Sequence, residues 1–189
     1  MSLMARLKAM GMELDSLDTL FREQLQECYN IENQIIRALP EMVEAASSPQ
    51  LKDAFEQHLE TTRRQKDRIE QIFHQLGEKP REENSEGMAG IIEEGQVLAN
   101  AKGKPEVRDA ALIAAAQRVE HYEEAAYGTC RTFAQRLGHS DVASLLQQTL
   151  DEEKQTDRHL TEIAESGINQ QAAAGPPRQS GGWTDMSGL

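Results

Sequence analysis

The chain is short of almost everything that builds a sheet. Phe, Tyr and Trp together make up 4% of its 189 residues, and Val and Ile are sparse. Those are the side chains that suit a pleated, half-buried surface. Ala, Leu, Gln, Glu and Arg dominate instead, and all are strong helix formers. The composition excludes a β-rich fold and points to an all-α domain with one full core. Long apolar runs are missing too, and no stretch approaches the ~20 residues of a membrane helix. Basic residues are in deficit, 20 against 32 acidic ones, for a net charge of −12. That balance argues against a nucleic-acid backbone or an anionic membrane as partner. Cysteine occurs twice. Cys28 and Cys130 both fall on inward helix faces, and counting along an antiparallel bundle sets them several turns apart in height. No bridge is expected, and two buried free thiols suit a reducing cytoplasm.

Helical periodicity fills the chain. Residues 1–15 read as an amphipathic lead-in helix without the continuous apolar region of an export signal. A first main helix, about 16–46, carries Leu17, Phe21, Leu25, Cys28, Glu32, Ile35 and Leu39 on one face. Pro40 is expected to kink its last turns. Ser48 and Pro49 form a cap-and-start pair for a second helix that ends at Gly77. Its inner stripe is Leu51, Phe55, His58, Thr62, Gln65, Ile69 and Phe73. A shorter helix, about 85–101, contains Gly87, Gly90 and Gly95, which suggests a crossover packed closely against a neighbour. Third and fourth main helices follow over about 105–138 and 140–166. Long helix, tight Ser-bearing turn and helix thus occur twice. Two antiparallel hairpins joined by a long crossover make a ferritin-like four-helix bundle over 16–167, with the short helix between the second and third main helices. Residues 168–189 are rich in Gly, Pro, Gln and Ser and read as a flexible tail. Its end, with Trp183, Met186 and Leu189, reads first as an ordinary disordered end and alternatively as a short docking motif for a partner.

The polar residues on the inward stripes carry the chemical signal. Glu120 and Glu123 lie one turn apart on a helix that is otherwise Ala-rich and apolar, with Glu123 at the centre of its inner stripe. An ionised carboxylate costs several kcal/mol to bury unless it is paired, hydrogen-bonded or bound to a metal. Counting from the two tight turns at ~1.5 Å per residue brings Glu32, Thr62, Glu123 and Glu153 within about a turn of each other. Glu120 falls one turn farther from the turn, His58 one turn nearer to it. Glu32, His58, Glu120, Glu123 and Glu153 are therefore the candidate metal ligands, with Gln65 and Thr156 placed to orient them. Such an oxygen and imidazole set suits Fe(II), Mn(II) or Zn(II). The competing reading is a buried polar network in which Gln65, Thr62, Tyr29 and a basic residue satisfy the carboxylates. His121 points away from the inner stripe, His74 and His159 fall on solvated faces, and His139 sits at a turn. Tyr122 and Tyr127 read as core or interface.

Several strings carry a family resemblance. Ala-Leu-Ile-Ala-Ala-Ala-Gln-Arg-Val-Glu-His-Tyr-Glu (111–123), Ala-Tyr-Gly-Thr (126–129), Leu-Leu-Gln-Gln-Thr-Leu-Asp-Glu-Glu-Lys (145–154) and Ala-Phe-Glu-Gln-His-Leu-Glu (54–60) resemble the YciE/YciF family of bacterial ferritin-like proteins. So does Glu-Asn-Gln-Ile-Ile-Arg-Ala-Leu-Pro from Glu32. The resemblance spans roughly residues 17–169. It implies a small cytoplasmic helical bundle, a homodimer, associated with stress responses. More distantly the chain is similar to rubrerythrin and bacterioferritin, and this implies Glu32, Glu120, Glu123 and Glu153 as ligands to iron. The chain departs from that pattern where it has Thr156 in place of a histidine and Thr62 and Gln65 on the second helix. One ion, or an asymmetric pair, of Fe or Mn is the expected cofactor. The expected function is metal binding in a stress-response protein, with oxidase or peroxidase chemistry at the carboxylate site. The alternative is a non-catalytic structural or interaction protein that acts through its dimer surface or tail.

Overall fold

Ser16 starts the first long helix by accepting the Thr19 N–H at 3.0 Å, which satisfies one of the orphan donors of the first turn. The helix it opens, α1 (Leu17–Ala45), runs through Pro40 without interruption. Ser48 caps α2 (Pro49–Gln75), with Pro49 at its first position, and Ser85 caps the short α3 (Glu86–Ala99). Two longer elements complete the layer, α4 (Pro105–Arg136) and α5 (Ser140–Ile163). Two glycines close helices in the left-handed region, Gly77 (φ 73°) where α2 gives way to the crossover and Gly138 (φ 82°) in the turn between α4 and α5. Each lets the next residue turn back: Glu78 N–H reaches the Phe73 carbonyl and His139 N–H the Ala134 carbonyl, both at 2.9 Å. This computed structural model describes residues 14–174, and among them no strand is present.

At the carboxyl end the helical path continues past the expected break at Gly167. A wider π turn over Ala164–Ile168 leads into α6 (Asn169–Ala173), and Ile168 is buried. The lead-in helix expected over 1–15 lies almost wholly outside the described residues, as does the Trp183, Met186 and Leu189 motif.

The two hairpin turns lie at opposite ends of the bundle. Asp109, in the first turns of α4, accepts the N–H groups of both Ser47 and Ser48 at 2.8 Å, so α4 begins beside the α1–α2 turn. At the other end the His139 ring stacks on Phe21, near the start of α1, with centroids 6.1 Å apart. The crossover makes this possible by climbing the length of α1. Gln26 is bonded to Arg81, Asn30 to Glu83, Gln34 to Asn84 and Glu41 to Asn100, in that ascending order. Counting from the turns as if they shared one end therefore misplaces two pairs. Cys28 and Cys130, expected several turns apart, bring their sulfurs to 3.6 Å. His58 and Glu120, expected to either side of the layer, fall on the same side of it. Residues near the middle of each helix keep their height under either count.

The core is interrupted. One apolar cluster, including Ile35, Leu39, Phe55, Leu112 and Leu160, fills the end near Ser48. A second, including Phe21, Leu25, Ile72, Tyr127 and Leu146, fills the end near Gly138. Between them lies a slab of buried polar side chains.

Candidate metal centre

The slab is built from the four long helices at mid-height. Glu32 comes from α1, His58 from α2, Glu120 and Glu123 from α4, and Glu153 from α5. Helical period explains the α4 pair: residues three apart on one helix face the same direction. All five side chains are buried, with Glu32, Glu120 and Glu153 at 0% exposure. His58, Glu120, Glu123 and Glu153 each bring a ligand-type atom into a set whose members all lie within 4.8 Å of one another. The structure thus brings together four of the five residues expected from sequence. Glu32 stands beside them, close enough to Glu153 for their charges to interact.

Hydrogen bonding around the slab is uneven. Tyr127 donates its hydroxyl to Glu32, and Gln65 donates to Glu153. Gln65 also reaches Glu152 at 3.2 Å, and Arg68 holds that same carboxylate with both arms at 2.9 and 3.0 Å. The inner groups have no such partners. Both oxygens of Glu120, both oxygens of Glu123 and both ring nitrogens of His58 are buried without a hydrogen bond. One oxygen each of Glu32 and Glu153 is in the same condition. The His58 Nδ1 lies 3.5 Å from Glu120. Buried polar atoms are nearly always satisfied in folded proteins, so this many orphans converging on one point fit an ion that they would share.

Electrostatics agree. Burial, and then the charge of Glu153, push the carboxyl groups of Glu32, Glu120 and Glu123 well above the ordinary range. Glu153 is pushed up to about 8, chiefly by burial. Burial holds His58 down at about 4, so at neutral pH its ring is uncharged and offers a lone pair. A cation placed among these groups would reverse the repulsion that raises the acids.

Several sequence expectations land elsewhere. Thr62 bonds back to the His58 carbonyl and Thr156 to the Glu152 carbonyl, so neither holds a carboxylate of the slab. Tyr29 turns to Glu70. The roles of Tyr127 and Arg68 were not evident from the chain: Tyr127 occupies an ordinary core position in the pattern, and Arg68 follows Gln65 by three residues without any distinguishing motif. Outside the slab, His121, Glu124 and Asp157 also gather, with His121 exposed and the two carboxylates half-buried.

Two cavities have His58 in their lining. One is a polar groove of about 360 Å³ between α2 and α5, lined also by Gln57, Thr61, Arg64 and Glu152 among others. The other is a small apolar cavity of about 40 Å³ under α3, among Ile35, Leu39, Ile92, Ala116 and Val119. Among the described residues, no helix is long and apolar enough to cross a membrane.

Fold and site together define an all-α bundle with a carboxylate and imidazole centre in its core. The chain belongs to the family described as a domain of unknown function, DUF892, whose model matches residues 16–173. It is 43% identical over 162 residues to Protein YciF of Escherichia coli, covering 85% of this chain and 98% of that one. The crystal structure of the E. coli stress protein YciF matches with a TM-score of 0.80 at 42% identity, over 83% of this chain and 99% of that chain. The Rhodopseudomonas palustris protein YcfI matches with a TM-score of 0.77 at 38% identity, over 79% of this chain and 95% of that chain. A Xanthomonas campestris structure, 22% identical with a TM-score of 0.66, shares the fold.

Proposed function

We propose that this protein binds iron or manganese in the core of its bundle and acts in the response to oxidative stress. The observation that carries the reading is the set of unpartnered, fully buried oxygens and nitrogens on Glu120, Glu123 and His58. Glu120, Glu123, Glu153 and His58 would hold the ion, and Glu32 stands where a second, weaker position would form. A bound iron or manganese ion would supply a Lewis acid and, when reduced, electrons for dioxygen or a peroxide.

The protein's own contribution is preparation of the site. Burial keeps His58 neutral and ready to ligate. Gln65 and Tyr127 fix the outer oxygens of Glu153 and Glu32, which orients the inner ones without spending them. The polar α2–α5 groove, which His58 helps to line, is the route inferred for an ion, and the chain's formal net charge of −12 favours cations around it. The likeness to an E. coli stress protein supports the stress role, and two buried free thiols suit a reducing cytoplasm. A homodimer is the assembly inferred, to be checked by its mass in solution.

A second reading, a non-catalytic structural or interaction protein, draws support from Thr62 and Thr156. Neither supplies a ligand where rubrerythrin-like sites would have one. Metal analysis of tag-free protein by inductively coupled plasma mass spectrometry separates the two. One or two equivalents of Fe or Mn, lost in Glu123→Ala, support the metal reading. No metal after anaerobic Fe(II) loading rejects it in favour of the structural role.

A further inference from the structure

We propose that Cys28 and Cys130 form a dithiol redox site, closing to a disulfide across α1 and α4 at the expense of a small hydroperoxide. Both side chains are fully buried, and their sulfurs are in contact at 3.6 Å. The two helices pack side by side although the cysteines lie 102 residues apart in sequence, so the pair is a meeting of distant segments and not a local accident. Its position is as informative as its geometry. Cys28 lies one turn below Glu32 on α1. Cys130 lies one turn below Tyr127 on α4, and Tyr127 donates to Glu32. The thiols therefore form the layer directly beneath the carboxylate slab.

A disulfide sulfur pair sits about 2.05 Å apart, so closure asks the two sulfurs to approach by roughly 1.5 Å. Rotation about the two Cα–Cβ bonds is the motion that carries the sulfurs together. Burial selects the oxidant. A protein or glutathione disulfide cannot reach sulfurs with no exposed surface, whereas a small uncharged hydroperoxide can pass through a breathing core. The contact with Cys130, then burial and the neighbouring carboxylates, raise the Cys28 thiol well above its ordinary range, so both exchange and peroxide attack draw on a small thiolate fraction and oxidation is slow.

The chemistry balances with the hydroperoxide as sole oxidant. One sulfur attacks the terminal peroxide oxygen and the O–O bond breaks. The departing oxygen takes that thiol's proton and leaves as an alcohol, or as water when the oxidant is hydrogen peroxide. The sulfenic acid so formed is attacked by the second sulfur. The S–S bond forms, the S–O bond breaks, and hydroxide leaves with the second thiol proton as water. Two thiols lose two electrons, and the peroxide gains them. No metal takes part, so the inference stands apart from the metal reading.

The test uses full-length, metal-free protein treated with stoichiometric hydrogen peroxide, then unfolded and alkylated. The expected result is the joint loss of both thiols, a Cys28–Cys130 cross-linked peptide from within one chain, and full recovery with dithiothreitol. The oxidised chain should also unfold at a higher urea concentration, because the closed loop spans most of the domain. Cys28→Ser and Cys130→Ser should each leave one sulfenic acid, which dimedone present during unfolding traps. Full alkylation of both thiols after peroxide, oxidation only once urea has unfolded the chain, or bridges between chains would each overturn the proposal.

Discussion

Glu123 shows how a single residue can oppose the fold that surrounds it. It is 1% exposed, and neither of its carboxylate oxygens has a hydrogen-bond partner. Burial, and then the charge of Glu153, raise its pKa well above the ordinary 4.5, so without a metal the folded chain holds on to a proton that the unfolded chain gives up. An acid whose folded pKa exceeds its unfolded value leaves stability intact below the unfolded value and removes it as pH rises toward the folded one. For Glu153 that window runs from the ordinary 4.5 to about 8. His58 acts on the acid side: neutral in the fold down to about 4, it costs stability as pH falls below its ordinary 6.5. Between those limits, from 6.5 to 8, the carboxylates act alone. Metal-free protein is therefore expected to lose stability as pH climbs, by about 1.4 kcal/mol per pH unit for each proton the fold retains. Urea midpoints across that window check the slope. Glu123→Gln keeps the shape, removes one of the retained protons, and should flatten the slope while abolishing metal binding. An unchanged slope would mean that Glu123 is compensated in some other way.

The same balance between local shape and context appears at the level of the element. Crossover helix α3 carries three glycines, but they do different work. A Cβ on Gly87 would collide with the Tyr122 hydroxyl, whereas one on Gly90 would meet open space. Gly87→Ala is thus expected to destabilise by about 1–3 kcal/mol. Gly90→Ala should stabilise by up to about 1 kcal/mol, since it removes a poor helix former at no steric cost. Thermal unfolding of the two variants gives the comparison, and equal effects would show that α3 does not pack as described. Helix boundaries were legible in the sequence because caps are local: Ser16, Ser48, Gly77 and Gly138 each act within a few residues of themselves. The end of α5 was less legible, because the π turn through Gly167 is supported by burial of Ile168 and not by any local propensity.

At the scale of the whole molecule, the arrangement of the turns was what periodicity could not supply. Nothing local to Ser48 or Ser140 says which end of the bundle each occupies; Asp109 reaching Ser47 and Ser48 decides it. The carboxylate layer survived that ambiguity because Glu32, Glu123 and Glu153 sit near mid-helix, where both counts agree. The Cys28–Cys130 contact, off-centre, did not. The resulting molecule has two apolar clusters separated by a polar slab, and its cohesion without metal must come from the ends. A bound ion would tie α2, α4 and α5 together across the slab, where apolar packing is absent. Loading with Fe(II) or Mn(II) to about a hundred times the dissociation constant would add about 2.7 kcal/mol by mass action. For a domain of this size, that corresponds to a rise in melting temperature of about 5–10 °C. Calorimetry of anaerobically loaded wild type against Glu123→Gln tests this, with the rise expected in the first and absent in the second. A rise of equal size in both would place the ion elsewhere on this acidic surface, and the slab would then be a polar seam in a structural protein.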